Sequence, residues 1–363
     1  MIKLALACAL WAAPAVAQIR NPAVAGQFYP ADAKELGRAV DSYLAKAPAP
    51  AKLPGPIVAL VVPHAGYEFS APVAAHAYKA VSGAYDTVVV IGAAHTAAVA
   101  GAALYAKGAF ATPLGPVPVD EELAARLLQD SDLFQDDPRA HSREHSVEVQ
   151  LPFLIKRLKP GWKLLPLIMN TEDPATSFRI GQALARELKG RKALLVASSD
   201  LSHYPPAELA DRVDRSTLKA LERLDPQFFW LSNRIMLAKG IPGLSTTWCG
   251  EAAVLAALTA AKSLGADQSV LLRYANSGTS PHGDQSRTVG YAAMALLRSG
   301  QPPANEIILD AGQRKNLLTL TRDTLKAGLA GRKPAPELAA DPVLNLPSAV
   351  FVTLTEAGRL RGC

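Results

Sequence analysis

Six short runs of the sequence are apolar along most of their length instead of at alternate positions. They are PIVALVV (56–62), TVVVI (87–91), WKLLPLIM (162–169), KALLVA (192–197), SVLLRYA (269–275) and TVGYAAMALL (288–297). A strand is apolar throughout when both of its faces are covered, as in a mostly parallel sheet with helices on each side. The runs therefore predict such a sheet.

Four of the intervening segments repeat apolar residues at the 3.6-residue spacing of a helix. They are residues 120–130, 173–190, 208–224 and 249–265. These segments carry helix-start residues or terminal glycines, which indicates where each helix begins or ends. Strands that alternate with helices predict an α/β fold, with the sheet sandwiched between the helices.

The α/β pattern stops at residue 298. The stretch RSGQPPANE (298–306) is polar and contains prolines, and it predicts a linker over residues 299–307. Residues 308–363 then show one helix and one strand, which bury little core by themselves. We therefore expect a main domain over residues 18–298 and a partial, loosely packed α+β segment over residues 308–363.

The first residues, MIKLALACALWAAPAVAQ, are typical of a secretory signal peptide. Lys3 precedes a short apolar stretch, and Ala15-Val16-Ala17 forms a cleavage site. Cleavage after residue 17 predicts a periplasmic or secreted protein that begins at Gln18. The apolar stretch is shorter than the roughly 20 residues that span a bilayer. We expect no integral membrane segment after cleavage.

The net charge limits which partners are expected, and the cysteine content limits which disulfides are expected. The net charge is +6, but no basic run or basic-aromatic stripe accompanies it, so nucleic-acid binding is not expected. Cleavage would remove Cys8 and leave Cys249 and Cys363, which do not make a disulfide framework.

Ionisable side chains follow three of the predicted strands. His64 follows the first strand, His95 follows the second, and Asp200 and His203 follow the fourth. Ligands bind at the carboxyl ends of parallel strands, so these groups are expected to meet there. Each could instead be a hydrogen-bonded loop residue, and Asp200 could cap a helix. Their shared edge favours a metal site, with Asp200 and His203 one helical turn apart.

Two further motifs extend this cluster. Cys249 is placed at the start of a helix, where the helix dipole favours the thiolate that binds metals, although it could be a small buried hydrophobe. In HSREHSVEVQLPFL (141–154), His145 and Glu148 could be a proton-transfer group and its orienting carboxylate, or a solvated helix start. His76 is expected to be structural, and His282 could be either.

Six motifs, in this order, resemble the MEMO family. They are NPAVAGQFYPAD, VVPHAGYEFSAPVAAHAY, IGAAHT, EHSVEVQLPFL, SSDLSHY and RYANSGT with VGYAAMA. The resemblance covers nearly all of residues 20–298 and implies a fold like that of the class III extradiol-type non-haem iron dioxygenases. It implies two histidines and a cysteine as ligands of Fe(II), which match His64, His95 and Cys249, with Asp200 and His203 lining the same pocket. In the dioxygenases a carboxylate takes the third place.

The segment 308–363, which ends in AVFVTLTEAGRLRGC, resembles the beginning of an AMMECR-type domain. The resemblance makes Cys363 a motif residue. In some bacteria this domain accompanies a MEMO-like protein and a radical-SAM protein. Export of this chain would separate it from such a cytoplasmic partner.

Several functions agree with these residues. Two imidazoles and a thiolate suit iron, copper or zinc better than magnesium or calcium, and the resemblance selects iron. The leading hypothesis is redox chemistry of the dioxygenase type on an unknown small molecule, with Asp200, His203 and His145 as catalytic groups. Alternatives are metal-assisted hydrolysis, and binding of a metal or partner peptide without turnover.

Overall fold

The computed structural model describes residues 18–49, 52–301, 309–332, 338–348, 354–356 and 359–362. The predicted signal peptide, most of the predicted linker and Cys363 lie outside these residues. The helices, in chain order, are α1 (Ala33–Lys46), α2 (Tyr67–Ala80), α3 (Glu121–Leu127), α4 (Pro138–His141), α5 (Leu151–Arg157), α6 (Pro174–Leu188), α7 (Ala207–Glu222), α8 (Pro226–Ala238), α9 (Glu251–Ser263) and α10 (Ala311–Leu329).

The strands fall into one large sheet and two small ones. In chain order they are β1 (Ile19–Arg20), β2 (Ile57–Val62), β3 (Thr87–Ala93), β4 (Ala102–Leu104), β5 (Ala109–Phe110), β6 (Val117–Pro118), β7 (Phe134–Asp136), β8 (Lys163–Met169), β9 (Ala193–Ser198), β10 (Gln268–Asn276), β11 (Gly290–Leu297), β12 (Leu354–Glu356) and β13 (Arg359–Gly362). All six predicted strands and all four predicted helices are present.

The large sheet has the strand order β10-β11-β2-β9-β3-β8-β4-β7. Its four central strands, β2, β9, β3 and β8, run parallel to one another, and β8 is antiparallel to β4. β11 is antiparallel to both β2 and β10. The sequence predicts β10 and β11 within a mostly parallel sheet. The chain between them contains only a short 3-10 turn. Parallel pairing needs a longer crossover connection, so the two strands pair antiparallel. The predicted α/β fold is confirmed, with an antiparallel hairpin at one edge.

The central strands are apolar throughout because apolar layers cover both faces. On β3, Val89 and Ile91 pack into the layer that contains α6 and α9. Val88 and Val90 pack into the opposite layer, which contains α1, α2 and α5. Successive side chains of a strand point to opposite faces, so a strand between two layers needs an apolar residue at each position.

Part of the C-terminal segment lies against the main domain. Leu338 is buried with Val213, Met236 and Ile241 in a small apolar cluster on α7 and α8. Asn345 donates a hydrogen bond from Nδ2 to Ser216 Oγ at 3.0 Å. Helix α10 has no buried residue. The predicted loose packing therefore holds for α10 but not for residues 338–348, and the domain boundaries stay a prediction.

In the part of the chain that the structure describes, none of the helices combines the length and the apolar character needed to cross a lipid bilayer.

Candidate metal centre

Three side chains lie at the carboxyl ends of three adjacent parallel strands. His64 is two residues beyond β2, Asp200 two beyond β9 and His95 two beyond β3, and the sheet places β9 between β2 and β3. The register of the parallel ladders, which pairs Val62 with Ser198 and Ile91 with Ala197, brings these positions to within one residue of the same height at the sheet edge. The edge predicted from the sequence is therefore the place where the three side chains meet.

Cys249 joins this cluster from a distant part of the sequence. Its Sγ atom lies 3.1 Å from Nε2 of His64, and it accepts the backbone N–H of Asp200 at 3.3 Å. The backbone N–H of Cys249 in turn donates to the carbonyl oxygen of Asp200 at 3.3 Å. These contacts hold the thiol against the loop that follows β9.

The contacts of the His64 ring fix its protonation. Nδ1 lies 3.1 Å from Ser198 Oγ, and that hydroxyl donates its only hydrogen to the carbonyl oxygen of Ser146 at 2.6 Å. Gln150 also donates to Ser198 Oγ, at 2.8 Å. Ser198 can therefore only accept from His64, which assigns the ring proton to Nδ1. The lone pair on Nε2 faces the Cys249 thiol.

His95 is oriented by Glu144, a residue that the sequence reasoning did not single out. Nδ1 of His95 lies 3.0 Å from Glu144 Oε1, and the backbone N–H of His95 donates to Oε2 at 2.6 Å. Glu144 also accepts the backbone N–H groups of His145 and Ser146 at 2.8 and 2.9 Å. This carboxylate places the proton on Nδ1 of His95 and leaves Nε2 free, as in carboxylate–histidine–metal sites.

The donor atoms of His64, His95 and Cys249 all lie within 4.8 Å of one another. Two donors on one tetrahedral ion are roughly 3.5 Å apart when their bonds to the ion are about 2.0–2.3 Å long. The set of two imidazole nitrogens and one sulfur fits iron, copper or zinc. The three residues thus fit the iron that the family resemblance implies. Their role as its ligands stays a prediction.

Glu148 does not orient His145, contrary to one of the two sequence interpretations. It is fully buried and pairs with Arg20. It also accepts the backbone N–H groups of Ala23 and Val24 at 2.7 and 3.1 Å, and the hydroxyl of Tyr29. Glu148 therefore holds the N-terminal segment, while Glu144 is the carboxylate next to the histidines.

His145 and His203 flank the three predicted ligands. The His145 ring stacks on His95 with centroids 4.7 Å apart. Donor atoms of Asp200, His203 and Cys249 also lie within 4.8 Å of one another. The predicted helical turn linking Asp200 to His203 is wrong, because residues 199–203 are not helical. Instead the His203 backbone pairs with Thr246 and Val289, which carries the side chain to the pocket.

Burial and charge set the protonation of the cluster. Burial raises the pKa of Asp200 to about 7, although the backbone N–H groups of His64 and Ala65 lower it in part. Burial lowers the pKa of His203 to about 4 and that of His64 well below its usual value. At His95 burial acts in the same direction, but the hydrogen bond and charge of Glu144 outweigh it, and the pKa is raised.

The thiol of Cys249 departs from the sequence interpretation. Helix α9 begins at Glu251 after its N-cap, Gly250, so Cys249 lies just before the helix. Burial and the nearby Asp200 carboxylate raise the pKa of the Cys249 thiol. The helix dipole therefore does not hold a free thiolate here, and deprotonation would accompany metal binding.

The other two histidines that the sequence analysis considered lie elsewhere. His76 is half-buried on α2 and lines a separate cleft beside Arg273. His282 is exposed, with Nε2 3.7 Å from Glu68. Neither belongs to the groups of close metal-binding side chains found among the described residues.

Fold and site together define an α/β protein with a candidate transition-metal centre of two imidazoles and one thiol. A family model described as Memo-like protein matches residues 20–295. The chain therefore belongs to the Memo-like family, which confirms the resemblance seen in the sequence motifs.

Two MEMO1 family proteins agree with this family assignment. A MEMO1 family protein of Methanopyrus kandleri is 39% identical over 290 residues, which cover 77% of this chain and 99% of that protein. A MEMO1 family protein of Aquifex aeolicus is 35% identical over 280 residues, covering 77% and 100%. The crystal structure of an uncharacterized protein from Escherichia coli K12 has a TM-score of 0.44 at 16% identity and covers 65% of this chain and 99% of that one.

Proposed function

We propose that this protein binds iron(II) through Nε2 of His64, Nε2 of His95 and Sγ of Cys249, and carries out dioxygenase-type redox chemistry on a small molecule. The observation that supports this most is the 3.1 Å approach of Cys249 Sγ to His64 Nε2, with both imidazoles carrying their proton on Nδ1, from which they donate to oxygen partners. Iron held by three protein ligands keeps open positions for O₂ and substrate.

The groups around the three ligands would hold and move protons. Asp200 has a pKa of about 7, so it exchanges a proton readily near neutral pH. Burial lowers the pKa of His203 to about 4, so its ring is neutral at pH 7 and would hold an accepted proton only briefly before passing it on. His145 is stacked on His95 and would receive or donate protons on that side of the pocket.

One observation favours a second function, metal binding without turnover. Asp200 and His203 form a second group of three donors with Cys249, separate from the group with His64 and His95, and an added ligand from this second group would close the site. A closed site favours a structural or storage role, whereas an open position favours catalysis or metal-assisted hydrolysis.

The test is anaerobic purification followed by metal analysis and an O₂-consumption screen with candidate small molecules. His64→Ala, His95→Ala and Cys249→Ser should each remove most of the bound iron, while His76→Ala should retain it. Asp200→Asn and His203→Ala should reduce activity more than metal content. Full metal content in Cys249→Ser together with loss in Asp200→Asn would replace the thiolate by a carboxylate in the ligand set.

We also propose export of the chain with cleavage after residue 17, which rests on the Ala15-Val16-Ala17 motif. N-terminal sequencing of the protein from a periplasmic fraction should start at Gln18, and a start at Met1 would contradict export by cleavage. The relation of residues 308–363 to an AMMECR-type domain is part of the same proposal and rests on their sequence motifs.

A further inference from the structure

Tyr204 has a backbone conformation that bulky residues rarely adopt. Its φ is +77°, in the left-handed region. The backbone around it is fixed: Tyr204 donates its N–H to the carbonyl oxygen of Thr288 at 2.6 Å, and Gly243 packs so closely that an added Cβ would lie 2.7 Å from the Tyr204 carbonyl oxygen. Such strain persists where the surrounding structure imposes it, often at ligand-binding positions.

The strained residue connects the pocket to the surface. Its ring centroid lies 5.4 Å from that of His203, and its side chain is 41% exposed. Nε2 of His203 is buried and has no hydrogen-bond partner among the described residues. A buried donor or acceptor without a partner indicates a position that a ligand group would occupy.

One face of the Tyr204 ring is covered by a cation. The guanidinium carbon of Arg287 lies 3.9 Å from the centroid of the Tyr204 ring. The guanidinium forms no salt bridge or hydrogen bond with the part of the chain that is described. A guanidinium stacked on a ring keeps its N–H groups free in its own plane, where they can bind a carboxylate with two parallel hydrogen bonds.

From this arrangement we infer that Tyr204 and Arg287 form a specificity-determining rim that selects a small organic acid, with its carboxylate on Arg287 and its body against the Tyr204 ring. The inference rests on the proposed function, because it names the substrate class of the same pocket. The planar guanidinium matches a carboxylate with two parallel hydrogen bonds, and the nearby Asp284 carboxylate, whose pKa is lowered by hydrogen bonds from Ser286 and in part by Arg287, opposes a second negative charge on the ligand.

The test uses benzoate and benzamide, which share one shape and differ in charge, with phenyl phosphate as a third probe. Binding of each is measured by calorimetry on the metal-loaded full-length protein, and metal content is measured on the same samples. We expect benzoate to bind about tenfold more tightly than benzamide and more tightly than phenyl phosphate. In Arg287→Gln the preference for benzoate should disappear, while the control Arg179→Gln, an exposed arginine of α6, should keep it.

Three results with these probes would overturn the inference. They are equal binding of benzoate and benzamide by the unmodified protein, a benzoate preference that survives in Arg287→Gln, and tighter binding of phenyl phosphate than of benzoate. Failure of the proposed function is seen separately, as protein without metal. If the protein takes up no metal but still prefers benzoate, and Arg287→Gln abolishes that preference, the result would support the rim. The missing metal would then contradict the proposed metal site.

Tyr204→Gly separates recognition from a purely structural role. Glycine adopts positive φ without strain, so the variant should melt at the same or a higher temperature. It should nevertheless bind benzoate several-fold more weakly, because the ring that supports Arg287 is gone. A lower melting temperature with unchanged benzoate affinity would show that Tyr204 serves the fold alone and would contradict the inference.

Discussion

Glu144 contacts His95 at two points, since its Oε2 accepts the backbone N–H at 2.6 Å and its Oε1 lies 3.0 Å from the ring Nδ1. The carboxylate is almost fully buried, and His95 lowers its pKa against the opposing effect of burial. The pair fixes both the position of the loop after β3 and the direction of the ring.

Replacing Glu144 by Gln should weaken metal binding without unfolding the protein. An amide keeps the size of the side chain but loses the charge that makes Nε2 of His95 more basic, so affinity should fall about 10- to 100-fold. Competition with a chelator of known affinity measures this. The exposed Glu122→Gln is the matched control, and unchanged affinity in Glu144→Gln would mean that Glu144 has only a structural role.

Breaking the buried pair of Arg20 and Glu148 should destabilise the fold strongly. Arg20 also donates to the carbonyl oxygens of His141, at 3.1 Å, and Glu144, so it ties β1 to the loop that carries the site carboxylate. Arg20→Met leaves Glu148 as an uncompensated buried charge, and the free energy of unfolding should fall by about 3–5 kcal/mol. Urea titration measures this change.

The exposed pair of Lys156 and Asp41, 2.7 Å apart, is the control for Arg20→Met. Lys156→Met should change the free energy of unfolding by less than about 1 kcal/mol, because solvent screens the pair. Equal losses in the two variants would contradict the special role of Arg20.

Asp214 should make stability depend on pH near neutrality. It is fully buried, and burial raises its pKa to about 7, although the Ser202 N–H and Tyr274 hydroxyl donate to it at 3.0 Å each. The folded state binds the proton more tightly than the unfolded state, in which the pKa is about 3.9. The stabilisation is therefore complete below that unfolded pKa and is lost as the pH rises through about 7.

Between these two values the Asp214 contribution to the free energy of unfolding should fall by up to ~1.4 kcal/mol per pH unit. Chemical denaturation of metal-free protein across this range measures the slope. Asp214→Asn should reduce the slope without abolishing it, because burial raises the pKa of Asp200 to about 7 as well, whereas Asp132→Asn, at an exposed carboxylate, should leave the slope unchanged. An identical slope in Asp214→Asn would show that Asp214 titrates near its ordinary pKa.

Deleting residues 303–363 should leave the α/β domain folded at a modest cost. The deletion removes Leu338 from the cluster with Val213, Met236 and Ile241, and burial of a leucine contributes roughly 1.5–3 kcal/mol. Thermal unfolding of the shortened chain and of Leu338→Ala should show similar losses. A shortened chain that fails to fold would mean that the C-terminal segment is an integral part of the domain.

The sequence by itself determined the central strands and the site positions at their ends. An apolar run covered on both faces is a local pattern, and a residue just beyond such a strand is carried to the sheet edge wherever the strand lies. His64, His95 and Asp200 were therefore predictable. Helix α1, with Asp32 as its N-cap, has an amphipathic pattern that could also have been recognised. Helix α2 contains Pro72 and many alanines, so its amphipathic pattern is weak.

Only the tertiary structure decided which groups act on those side chains. Glu144 reaches His95 across 49 positions of sequence, and Cys249 reaches His64 across 185. The raised pKa of the Cys249 thiol and the positive φ of Tyr204 likewise come from burial and from contacts with distant segments. Local patterns specify elements, but desolvation and pairing depend on which elements the fold brings together, and that is why these features could not be read from spacing alone.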